Sequence, residues 1–377
     1  MDSIRILHVI PAFGGGISTF VRNLITVPNS DNMIMDVAGF GEFPVEYVEA
    51  IAKAGGKVYS FANPHKSPIK FLTQYRDLLK SNEYIMLHCH FSGWKGLIFK
   101  SIAKIDGVKL IATHAHRTND ETKKCYQRLS IYISRLTSTA LTQIVFTCSD
   151  LAAEFICGKK FVRKHNIYMM PNAIDDNVYN KQLKEEEKKE LLESLGIDNN
   201  IKIIGHIGRF NIQKNHIFII QIAEELSRRG LGFVILLLGD GDLYTDIKMK
   251  SKEKRLEEKI KFLGKRSDVY QLLQIMNVMI LPSLYEGLPM VAVESQAAGI
   301  PIIMSDTITR QADLGLGLAS YLPINNVKVW ADQIIGMKIT SHYSMQERLN
   351  ILSNKAFTAK KLRQLYYDVV KAKITND

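Results

Sequence analysis

Short apolar runs alternate with helical patterns along almost the whole 377-residue chain. Each run has the length and composition of a buried parallel strand. In the first half of the chain these runs are residues 4–10, 35–40, 57–61, 84–88, 109–113, 143–147 and 167–170. In the second half they are residues 203–207, 233–238, 278–281 and 302–304. Such alternation predicts an α/β protein with doubly wound parallel sheets, in which ligands bind at the carboxyl ends of the strands.

The bulk composition is that of a soluble globular protein, with 46% hydrophobic and 23% charged residues. No apolar run approaches the ~20 residues of a membrane span. The N-terminus is expected to enter a strand directly rather than to form a signal peptide, and Ser18 is expected to cap the helix that follows. The four cysteines lack the spacing of metal ligands. We therefore expect a cytoplasmic chain whose cysteines stay reduced.

The formal net charge of +11 indicates an anionic partner. Nucleic acid, an anionic membrane face and a phosphorylated substrate would each account for this charge. The sequence contains no nucleic-acid-binding motif and no aromatic-basic interleaving of the RNA-binding kind. A phosphorylated substrate or a membrane surface is therefore expected, and nucleic acid is not.

The stretch from residue 280 to 306 predicts a strand, a loop, a helix and a second strand. Pro289 stands where a helix can begin. A helix N-terminus offers unpaired N–H groups and a partial positive charge, which suit a diphosphate. Glu286 would lie at the mouth of that site, and Glu294, in the second turn, could accept hydrogen bonds from sugar hydroxyls. The pattern fits a nucleotide-sugar, although an ordinary amphipathic helix with a solvated glutamate also fits it.

A second charged loop follows the predicted strand at 203–207. It presents two cations, Arg209 and Lys214, at the end of that strand. A planar guanidinium together with a compact ammonium group suits a diphosphate and the negative charge that develops on it during its departure. Two ordinary surface cations are the alternative interpretation.

These two motifs resemble those of retaining family 4 glycosyltransferases, which have the GT-B fold. The string Glu-Gly-Leu-Pro-Met-Val-Ala-Val-Glu, from Glu286 to Glu294, is similar to the Glu-x7-Glu signature of that family. Gly-Arg at 208–209 with Lys-Asn at 214–215 resembles its donor-phosphate loop. Residues 305–310 resemble the subgroup that assembles bacterial exopolysaccharides. The resemblance implies two Rossmann-like domains facing each other across a cleft, and a UDP-hexose or UDP-N-acetylhexosamine as donor.

The same resemblance implies a role for each candidate residue. Arg209 and Lys214 would stabilise the departing nucleoside diphosphate, Glu286 would orient the sugar ring, and Glu294 would hold the ribose. Further donor contacts are expected in the loops near the phosphates and the base, at Gly15, Gly16, Gly264, Lys265, Gly287, Leu288 and Pro289. The implied reaction is a same-face displacement in which the leaving phosphate helps to take the acceptor proton. No cofactor and no catalytic metal are expected, and Asp240-x-Asp242 is interpreted as part of a glycine turn.

Two histidine pairs stand at predicted strand ends, His88 with His90 and His114 with His116. Such pairs suggest zinc, but no acidic third ligand is near in sequence, and no metal site is predicted. His114 matches the position where related glycosyltransferases keep a histidine near the donor sugar and the attacking oxygen, and His116 is an alternative for that role. His88 and His90 resemble the family's His-x-His on the acceptor side. Ordinary hydrogen-bonded loop histidines are the competing interpretation.

The predicted domains are an N-terminal acceptor domain at 1–175, a charged linker at 176–200 and a C-terminal donor domain at 201–356. The resemblance implies that the last helix, 357–377, returns to the first domain. The family usually reads Pro-Asn-Gly-Ile-Asp at the end of that domain. Ala173 replaces the glycine in this chain, which makes a positive φ unfavourable there.

The segment after the second histidine pair predicts an amphipathic helix. It places Lys124, Arg128 and Arg135 on one face, and Leu129 and Leu136 among the apolar residues of another. A basic amphipathic surface suits the anionic inner face of a plasma membrane, or a polyprenyl-diphosphate-linked acceptor lying in it. An oligosaccharide acceptor and an ordinary solvated helix face are the alternatives.

Three other functions are compatible with this fold. A nucleotide-sugar epimerase of the same fold needs a different carboxylate set, and a phosphorylase needs a lysine that carries pyridoxal phosphate. A non-catalytic carbohydrate- or membrane-binding partner of a polysaccharide assembly complex would have no need of Arg209, Lys214, Glu286 and Glu294 together. The favoured function is a glycosyltransferase that moves a hexosyl or N-acetylhexosaminyl unit in surface polysaccharide biosynthesis.

Overall fold

The structure is a computed structural model that describes residues 3–14, 16–28, 31–116, 125–198, 200–337 and 342–376, with the backbone alone for 125–128, 139 and 376. The chain divides into two compact units. The first comprises Met1–Ala173 together with Ala356–Asp377, and the second comprises Ile174–Lys355.

Seven parallel strands form the sheet of the first unit, in the order β3-β2-β1-β4-β5-β6-β7. They are β1 (Ile4–Val9), β2 (Met33–Phe40), β3 (Val58–Phe61), β4 (Met86–Cys89), β5 (Leu110–Ala115), β6 (Ile144–Thr147) and β7 (Ile167–Met169). The order reverses direction between β1 and β4. A ligand crevice is expected at the carboxyl ends of these two strands.

The helices described in the first unit are α1 (Gly16–Thr26), α2 (Val45–Lys53), α3 (Pro68–Ser81), α4 (Gly93–Ile105), α5 (Cys125–Leu141), α6 (Asp150–Cys157), α7 (Lys159–Val162) and α16 (Ala359–Asn376). Helix α16 belongs to this unit although it is the last element of the chain. Its Leu362, Tyr366 and Val370 are fully buried in one apolar cluster with Phe20 and Leu24 of α1.

Six parallel strands form the sheet of the second unit, in the order β10-β9-β8-β11-β12-β13. They are β8 (Lys202–Ile207), β9 (Phe233–Leu238), β10 (Ile260–Gly264), β11 (Val278–Leu281), β12 (Ile302–Ser305) and β13 (Ala319–Leu322). The helices described here are α8 (Asp176–Tyr179), α9 (Glu185–Ser194), α10 (His216–Arg228), α11 (Tyr244–Glu253), α12 (Val269–Ile275), α13 (Met290–Ala297), α14 (Val327–Gly336) and α15 (Met345–Asn354). The order of this sheet reverses between β8 and β11.

The predicted fold class is confirmed, since both units are doubly wound parallel-sheet α/β structures. Each apolar run of the sequence coincides with an observed strand to within one or two residues. Strands β10 and β13 were not predicted. Four of the five residues of β10 and all four residues of β13 are only half-buried, so neither sequence contains the apolar run that marks the other strands.

The prediction that Ser18 caps the first helix is wrong. Helix α1 begins at Gly16, and Ser18 lies in its first turn, where the hydroxyl accepts a hydrogen bond from the N–H of Gly14. A Cβ on Gly16 would lie 2.9 Å from Nδ2 of Asn172, so a residue without a side chain allows the helix to begin this close to its neighbour.

Helix α5 exposes much of its apolar face. Leu129, Tyr132 and Leu136 are 59%, 59% and 51% exposed, whereas Ser134 and Ser138 are buried. The apolar face of this helix is therefore at the surface, and its small polar face is packed inward. Lys124 lies outside the described residues, and the position of the Arg128 side chain is not described.

A buried ion pair attaches α16 to the rest of the first unit. The Arg363 guanidinium lies 2.6 Å from Oδ1 of Asp31 and also donates hydrogen bonds to the carbonyls of Leu24 and Met33. Its side chain is 4% exposed and that of Asp31 10%. Removal of one partner of such a pair leaves the other charge buried without compensation.

We expect Arg363→Ala to lower the free energy of unfolding of the first unit by roughly 3–5 kcal/mol. The chain has two tryptophans, Trp94 in the first unit and Trp330 in the second. Urea unfolding followed by Trp94 fluorescence in a Trp330→Phe background therefore reports the first unit. Lys159→Ala, which removes an exposed contact with Glu154 in the same unit, is the control and should change stability by less than about 1 kcal/mol. An unchanged midpoint in Arg363→Ala would show that the pair contributes nothing.

Candidate active site

The loops that follow β8 and β11 meet at the point where the strand order of the second sheet reverses. Strand β8 pairs with β9 on one side and with β11 on the other, so successive strands are added on opposite sides of β8. The loop after β8 carries Arg209 and Lys214, and the loop after β11 carries Glu286. Both therefore lie at the carboxyl edge of the sheet, where α/β proteins of this topology bind ligands.

Lys214 and Glu286 form an ion pair across this point. Nζ of Lys214 lies 2.7 Å from Oε1 of Glu286, with side chains only 14% and 10% exposed. Gln213 donates a hydrogen bond from Nε2 to the other carboxylate oxygen of Glu286 at 3.3 Å, and a second to the carbonyl of Tyr285 at 2.9 Å. Both oxygens of Glu286 are thus held, and the carboxylate has a fixed orientation.

Backbone contacts hold the Lys214 loop in place. Residues Ile212–Lys214 form a single 3-10 turn capped by the side chain of Asn211, and Asn215 adopts the left-handed conformation with φ of 54°. Nδ2 of Asn215 donates to the carbonyl of Pro282, which connects this loop to the one after β11. The Lys214 ammonium is therefore positioned by its own loop and by its neighbour.

Glycines allow the adjacent loop after β9 to approach closely. A Cβ on Gly239 would lie 2.0 Å from the carbonyl oxygen of Gly208, and one on Gly241 would lie 2.5 Å from the carbonyl oxygen of Phe210. Both have positive φ, 134° and 155°. Any side chain at either position would displace the Arg209–Lys214 loop.

Arg209 and Lys265 are on the exposed side of this edge. The Arg209 guanidinium is 67% exposed and lies 3.7 Å from Asp242, and Lys265 is 82% exposed and lies 3.5 Å from Asp240. Both contacts are weak at this exposure and leave the cations able to reorient toward a ligand. They also pair each carboxylate of the Asp240-x-Asp242 string with a cation.

The remaining predicted donor residues of the second unit lie along the same edge. Gly264 ends β10 with φ of 66°, and its carbonyl accepts a hydrogen bond from the N–H of Gly239. Gly287 and Leu288 are half-buried in the loop before α13, and Pro289 occupies the N-cap position of that helix. The first turn of α13 therefore begins immediately after the Lys214–Glu286 pair.

Glu294 lies in the second turn of α13 and is half-buried. Burial raises the pKa of its carboxyl group to about 7, and the Lys214 ammonium opposes this increase. The charge of Glu294 in turn contributes to raising the pKa of the Tyr179 hydroxyl well above its ordinary value, behind the larger effect of burial. A carboxyl group with this pKa can change between hydrogen-bond donor and acceptor near neutral pH.

In the first unit, the predicted histidines gather at the carboxyl ends of β1, β4 and β5. His88 and His90 come from β4 and the residue after it, and His114 and His116 come from β5 and the residue after it. The His114 and His116 rings stack with centroids 3.9 Å apart, and His114 is 4% exposed whereas His116 is half-buried. Burial lowers the pKa of all four imidazoles, that of His116 to about 3, so the cluster is neutral at pH 7.

The glycine loop after β1 is described in part. Gly16 is the first residue of α1, and Gly15 lies outside the described residues. Phe20 of α1 contacts the rings of both His114 and His116, at 4.6 and 5.8 Å between centroids. Helix α1 therefore forms one wall of the histidine cluster.

Sequence reasoning missed three residues that the structure places in these sites. Gln213 orients Glu286 by a hydrogen bond. The sequence signal that could have identified Gln213 is its position between Asn211 and Lys214 in the cationic loop. His8 and Tyr366 join the histidine cluster, with His8 Nδ1 3.2 Å from His90 Nε2 and the Tyr366 hydroxyl 3.0 Å from His88 Nδ1. Strand pairing and the return of α16 bring these two in, and neither is a local property of the sequence.

Comparisons with known proteins agree with this architecture. The family described as glycosyl transferases group 1 matches residues 187–314. Over 337 residues the chain is 33% identical to the putative glycosyltransferase EpsF of Bacillus subtilis (strain 168), covering 88% of this chain and 86% of that protein. Over 248 residues it is 27% identical to the Escherichia coli UDP-Gal:alpha-D-GlcNAc-diphosphoundecaprenol alpha-1,3-galactosyltransferase, covering 63% and 62%. The structure of Anabaena Alr3699/HepE in complex with UDP-glucose is similar with a TM-score of 0.78, over 98% of this chain and 100% of that chain at 17% identity.

Two doubly wound units of this strand order have the architecture of a GT-B glycosyltransferase. The similarity to EpsF extends over both units and most of each chain. The chain belongs to the group 1 glycosyl transferase family.

The pKa of Glu294 predicts a pH-dependent stability. In the folded chain it is about 7, against an ordinary value of 4.5, so between these pH values the native state holds a proton that the unfolded chain releases. The contribution of Glu294 to stability therefore falls as pH rises through this window. Glu294→Gln is neutral throughout, and we expect its melting temperature relative to wild type to rise from pH 5 to pH 8, by about 2–4 °C for each kcal/mol of penalty removed.

The measurement is thermal unfolding without ligand, followed by Trp330 fluorescence in a Trp94→Phe background. Glu190→Gln, at an exposed position on α9, controls for the loss of a negative charge. A difference between Glu294→Gln and wild type that stays constant from pH 5 to pH 8 would contradict the raised pKa.

Proposed function

We propose that this protein is a retaining glycosyltransferase that moves a hexosyl or N-acetylhexosaminyl unit from a UDP-sugar to a lipid-linked or oligosaccharide acceptor in surface polysaccharide biosynthesis. The observation that carries the proposal is the largely buried Lys214–Glu286 pair at the strand-order reversal, immediately before α13. It combines a cation for a diphosphate with a carboxylate for a sugar, at the edge where this fold binds ligands.

The diphosphate of the donor would bind to Lys214 and to the first turn of α13. Without a donor, Glu286 neutralises the Lys214 ammonium. An incoming diphosphate competes for that ammonium and also meets the helix N-terminus, which favours anions. Arg209, exposed on the same edge, adds a planar fork that suits the charge developing on the leaving phosphate.

Glu286 and Glu294 would bind the two hydroxylated parts of the donor. Once the diphosphate engages Lys214, Glu286 retains its hydrogen bond from Gln213 and has a free carboxylate oxygen for the hydroxyls of the sugar ring. Glu294, one to two turns into α13, would accept hydrogen bonds from the ribose. Gly264, Lys265, Gly287, Leu288 and Pro289 would complete the contacts to the base and phosphates.

Two relatives support UDP as the nucleotide. The HepE structure is a complex with UDP-glucose, and the name of the Escherichia coli relative gives UDP-Gal as its donor.

Asp240 and Asp242 each pair with a cation. We therefore keep the expectation that the donor site needs no catalytic metal and no cofactor.

The reaction would be a same-face displacement. The bond between the anomeric carbon and the β-phosphate oxygen breaks, the acceptor oxygen bonds to the same face of that carbon, and the acceptor proton goes to the leaving phosphate. The neutral imidazole of His114 or of His116 would polarise hydroxyls near the anomeric carbon. His116 is the more exposed of the two and lies on the outer side of their stack.

The acceptor would be presented at a membrane. Leu129, Tyr132 and Leu136 form an exposed apolar stripe on α5. A cavity of about 760 Å³ adjoins this helix, and its lining includes Arg135, Lys159 and Lys160. Apolar side chains beside cations suit the boundary of a bilayer with anionic headgroups. The acceptor named for the Escherichia coli relative is linked to diphosphoundecaprenol, which also favours a membrane location. Among the described residues, no helix has both the length and the hydropathy to cross a bilayer.

Donor binding is tested by a thermal-shift panel of UDP, GDP, ADP and their common sugars, with and without EDTA. A ligand at 100 times its Kd stabilises the folded chain by about 2.7 kcal/mol. We expect UDP and one UDP-sugar to raise the melting temperature irrespective of EDTA. Lys214→Ala should lose this shift and roughly 10²–10³-fold in turnover, because it removes a charge that stabilises the leaving group.

Lys254→Ala is the matched control, since Lys254 is an exposed lysine of the same unit that pairs with Glu224. It should behave like wild type in both assays. A shift produced only by GDP or ADP would contradict the UDP assignment. A UDP shift undiminished in a folded Lys214→Ala protein would remove Lys214 from the phosphate site.

Membrane binding is tested by co-sedimentation with phosphatidylglycerol and phosphatidylcholine vesicles. We expect binding to the anionic vesicles alone, weakened by salt, and at least about 10-fold weaker in the Leu129→Ser/Leu136→Ser double variant. Ile69→Ser, which removes a 79% exposed apolar side chain on α3, is the control and should bind normally. Equal binding by wild type and the double variant would exclude this face as the contact.

A further inference from the structure

Three histidines form a row at the carboxyl edge of the first sheet. His8 comes from β1, His90 follows β4 and His116 follows β5. Nδ1 of His8 lies 3.2 Å from Nε2 of His90, and Nδ1 of His90 lies 2.8 Å from Nε2 of His116. The parallel pairing of β1 with β4, and of β4 with β5, holds the rings in this order. The row therefore runs from His8, which is 0% exposed, to His116, which is half-buried.

The rings of this row meet edge to edge. The planes of His8 and His90 differ by 24°, and those of His90 and His116 by 22°. The ring centroids are 5.5 and 5.1 Å apart where the nitrogens are 3.2 and 2.8 Å apart. Each difference matches twice the distance from the centre of an imidazole ring to its nitrogen. The nitrogens therefore lie between the ring centres, and an N–H in the plane of one ring points at the lone pair of the next.

His114 supports the row from one face and is not a member of it. Its ring lies against the face of His116, with centroids 3.9 Å apart and planes within 14°. Its Nε2 lies 3.2 Å from the carbonyl oxygen of Met170, and the Phe20 ring packs against it with centroids 4.6 Å apart. Since His114 is only 4% exposed and His116 is half-buried, His116 is the ring of this stack that a substrate can contact.

The Tyr366 hydroxyl, from the last helix of the chain, extends the inner end of the row. It lies 3.5 Å from Nε2 of His8 and 3.0 Å from Nδ1 of His88. Nε2 of His88 is buried and has no hydrogen-bond partner among the described residues. The contacts therefore make one chain of hydrogen-bonding groups, which runs outward in the order His88, Tyr366, His8, His90 and His116.

The hydrogens of this chain must all point in the same direction. Burial is the main cause of a lowered pKa in each of its imidazoles, so each ring is neutral at pH 7 and carries one hydrogen. His90 has a ring nitrogen on either side, so it donates to one neighbour and accepts from the other. The same holds for His8 and for the Tyr366 hydroxyl. The nitrogen of His116 that carries the hydrogen is therefore decided at the inner end of the chain.

Two features of the inner end favour hydrogens that point outward. In the opposite direction, Nε2 of His88 would carry a hydrogen with no acceptor among the described residues, and an unpaired buried N–H is the rarer defect in protein interiors. Arg363 precedes Tyr366 by one turn of α16, and although it is paired with Asp31, its charge adds to burial in lowering the pKa of His8. A cation at this end favours lone pairs that face it and hydrogens that point away from it.

We propose that Tyr366 and His8 are positioning residues that hold the hydrogen of His116 on Nδ1, so that His116 meets the substrate as a neutral hydrogen-bond donor and not as a base. This role rests on the proposed function, and it selects His116 over His114 and gives the direction of its hydrogen bond. A donor of this kind can hold a hydroxyl oxygen but cannot take a proton from it. The acceptor proton is then left to the departing phosphate, as in the proposed same-face displacement.

The direction of the hydrogens is tested by nitrogen NMR of the purified chain, labelled with ¹⁵N in its histidine side chains. An imidazole nitrogen that carries a hydrogen resonates at a different frequency from one with a lone pair. The signals of His116 are those that disappear in His116→Gln, and in the wild type at pH 7 we expect its hydrogen on Nδ1. Tyr366→Phe keeps the ring and removes the hydroxyl, so it should shift the tautomer ratio of His116 at least about fivefold toward Nε2.

Tyr367→Phe is the matched control, because it removes the hydroxyl of the next residue on the same helix. Tyr367 is half-buried, and its ring lies beside the ammonium group of Lys371. This variant should keep the wild-type tautomer of His116. A hydrogen on Nε2 of His116 in the wild type, or an unchanged tautomer ratio in a folded Tyr366→Phe protein, would overturn the proposal.

The transfer assay measures what the positioning contributes to the reaction. Tyr366→Phe should lower kcat by about 10-fold and leave the donor KM and the UDP-dependent thermal shift unchanged, because the proposed donor contacts lie in the second unit. A merely structural role would not separate kcat from KM in this way, and an unchanged kcat would contradict the role assigned to Tyr366. Absence of any transfer by the wild type would instead contradict the proposed function, and the NMR measurement does not depend on it.

Discussion

The candidate site of the second unit depends on one ion pair between residues that are 72 positions apart in sequence, Lys214 and Glu286. Both charges are largely removed from water, so each is stable only in the presence of the other or of a ligand that replaces it. The pair exists because β8 and β11 are parallel neighbours that direct their following loops to the same edge. Gln213 and Asn215 then connect the two loops through the carbonyls of Tyr285 and Pro282. The site is thus an outcome of strand order and of two short polar contacts.

The same strand order gives the first unit a chemically different edge. Its reversal lies between β1 and β4, and the groups gathered there are imidazoles rather than cations and carboxylates. Burial keeps these imidazoles neutral, whereas the second unit places formal charges at the corresponding position. A nucleoside diphosphate requires charge compensation, and a sugar hydroxyl requires neutral hydrogen-bonding groups. The two edges therefore suit the two kinds of substrate that the proposed reaction brings together.

Local sequence signals were sufficient for most of the fold and for the charged loops. Apolar runs marked most of the strands because buried parallel strands need them, and β10 and β13 were missed because their largely half-buried residues do not form such a run. Four charged residues could be predicted because each lies in a short motif whose residue spacing is visible in the sequence: Glu286, Glu294, Arg209 and Lys214. The histidine cluster could not be predicted, since it depends on the register of β1 with β4 and of β4 with β5. The hydrogen bond that Nε2 of His114 makes to the carbonyl of Met170, 56 residues away, is likewise not a local property of the sequence.

The orientation of α5 shows why periodicity alone does not decide which face of a helix is buried. Helix α4 approaches α5 at Gly93, whose N–H donates to the Ser134 hydroxyl at 2.6 Å, and a Cβ on Gly93 would lie 2.1 Å from the Ser130 hydroxyl oxygen. Only small side chains fit such a contact, so the serine face of α5 packs inward. Leu129 and Leu136, on the opposite side of the helix, remain in contact with water. Their exposure costs free energy that a helix packed by its apolar face would have avoided. A lipid surface that covered these side chains would recover this free energy. The close contact between α4 and α5, which leaves the apolar stripe of α5 exposed, would then prepare the first unit to bind a membrane.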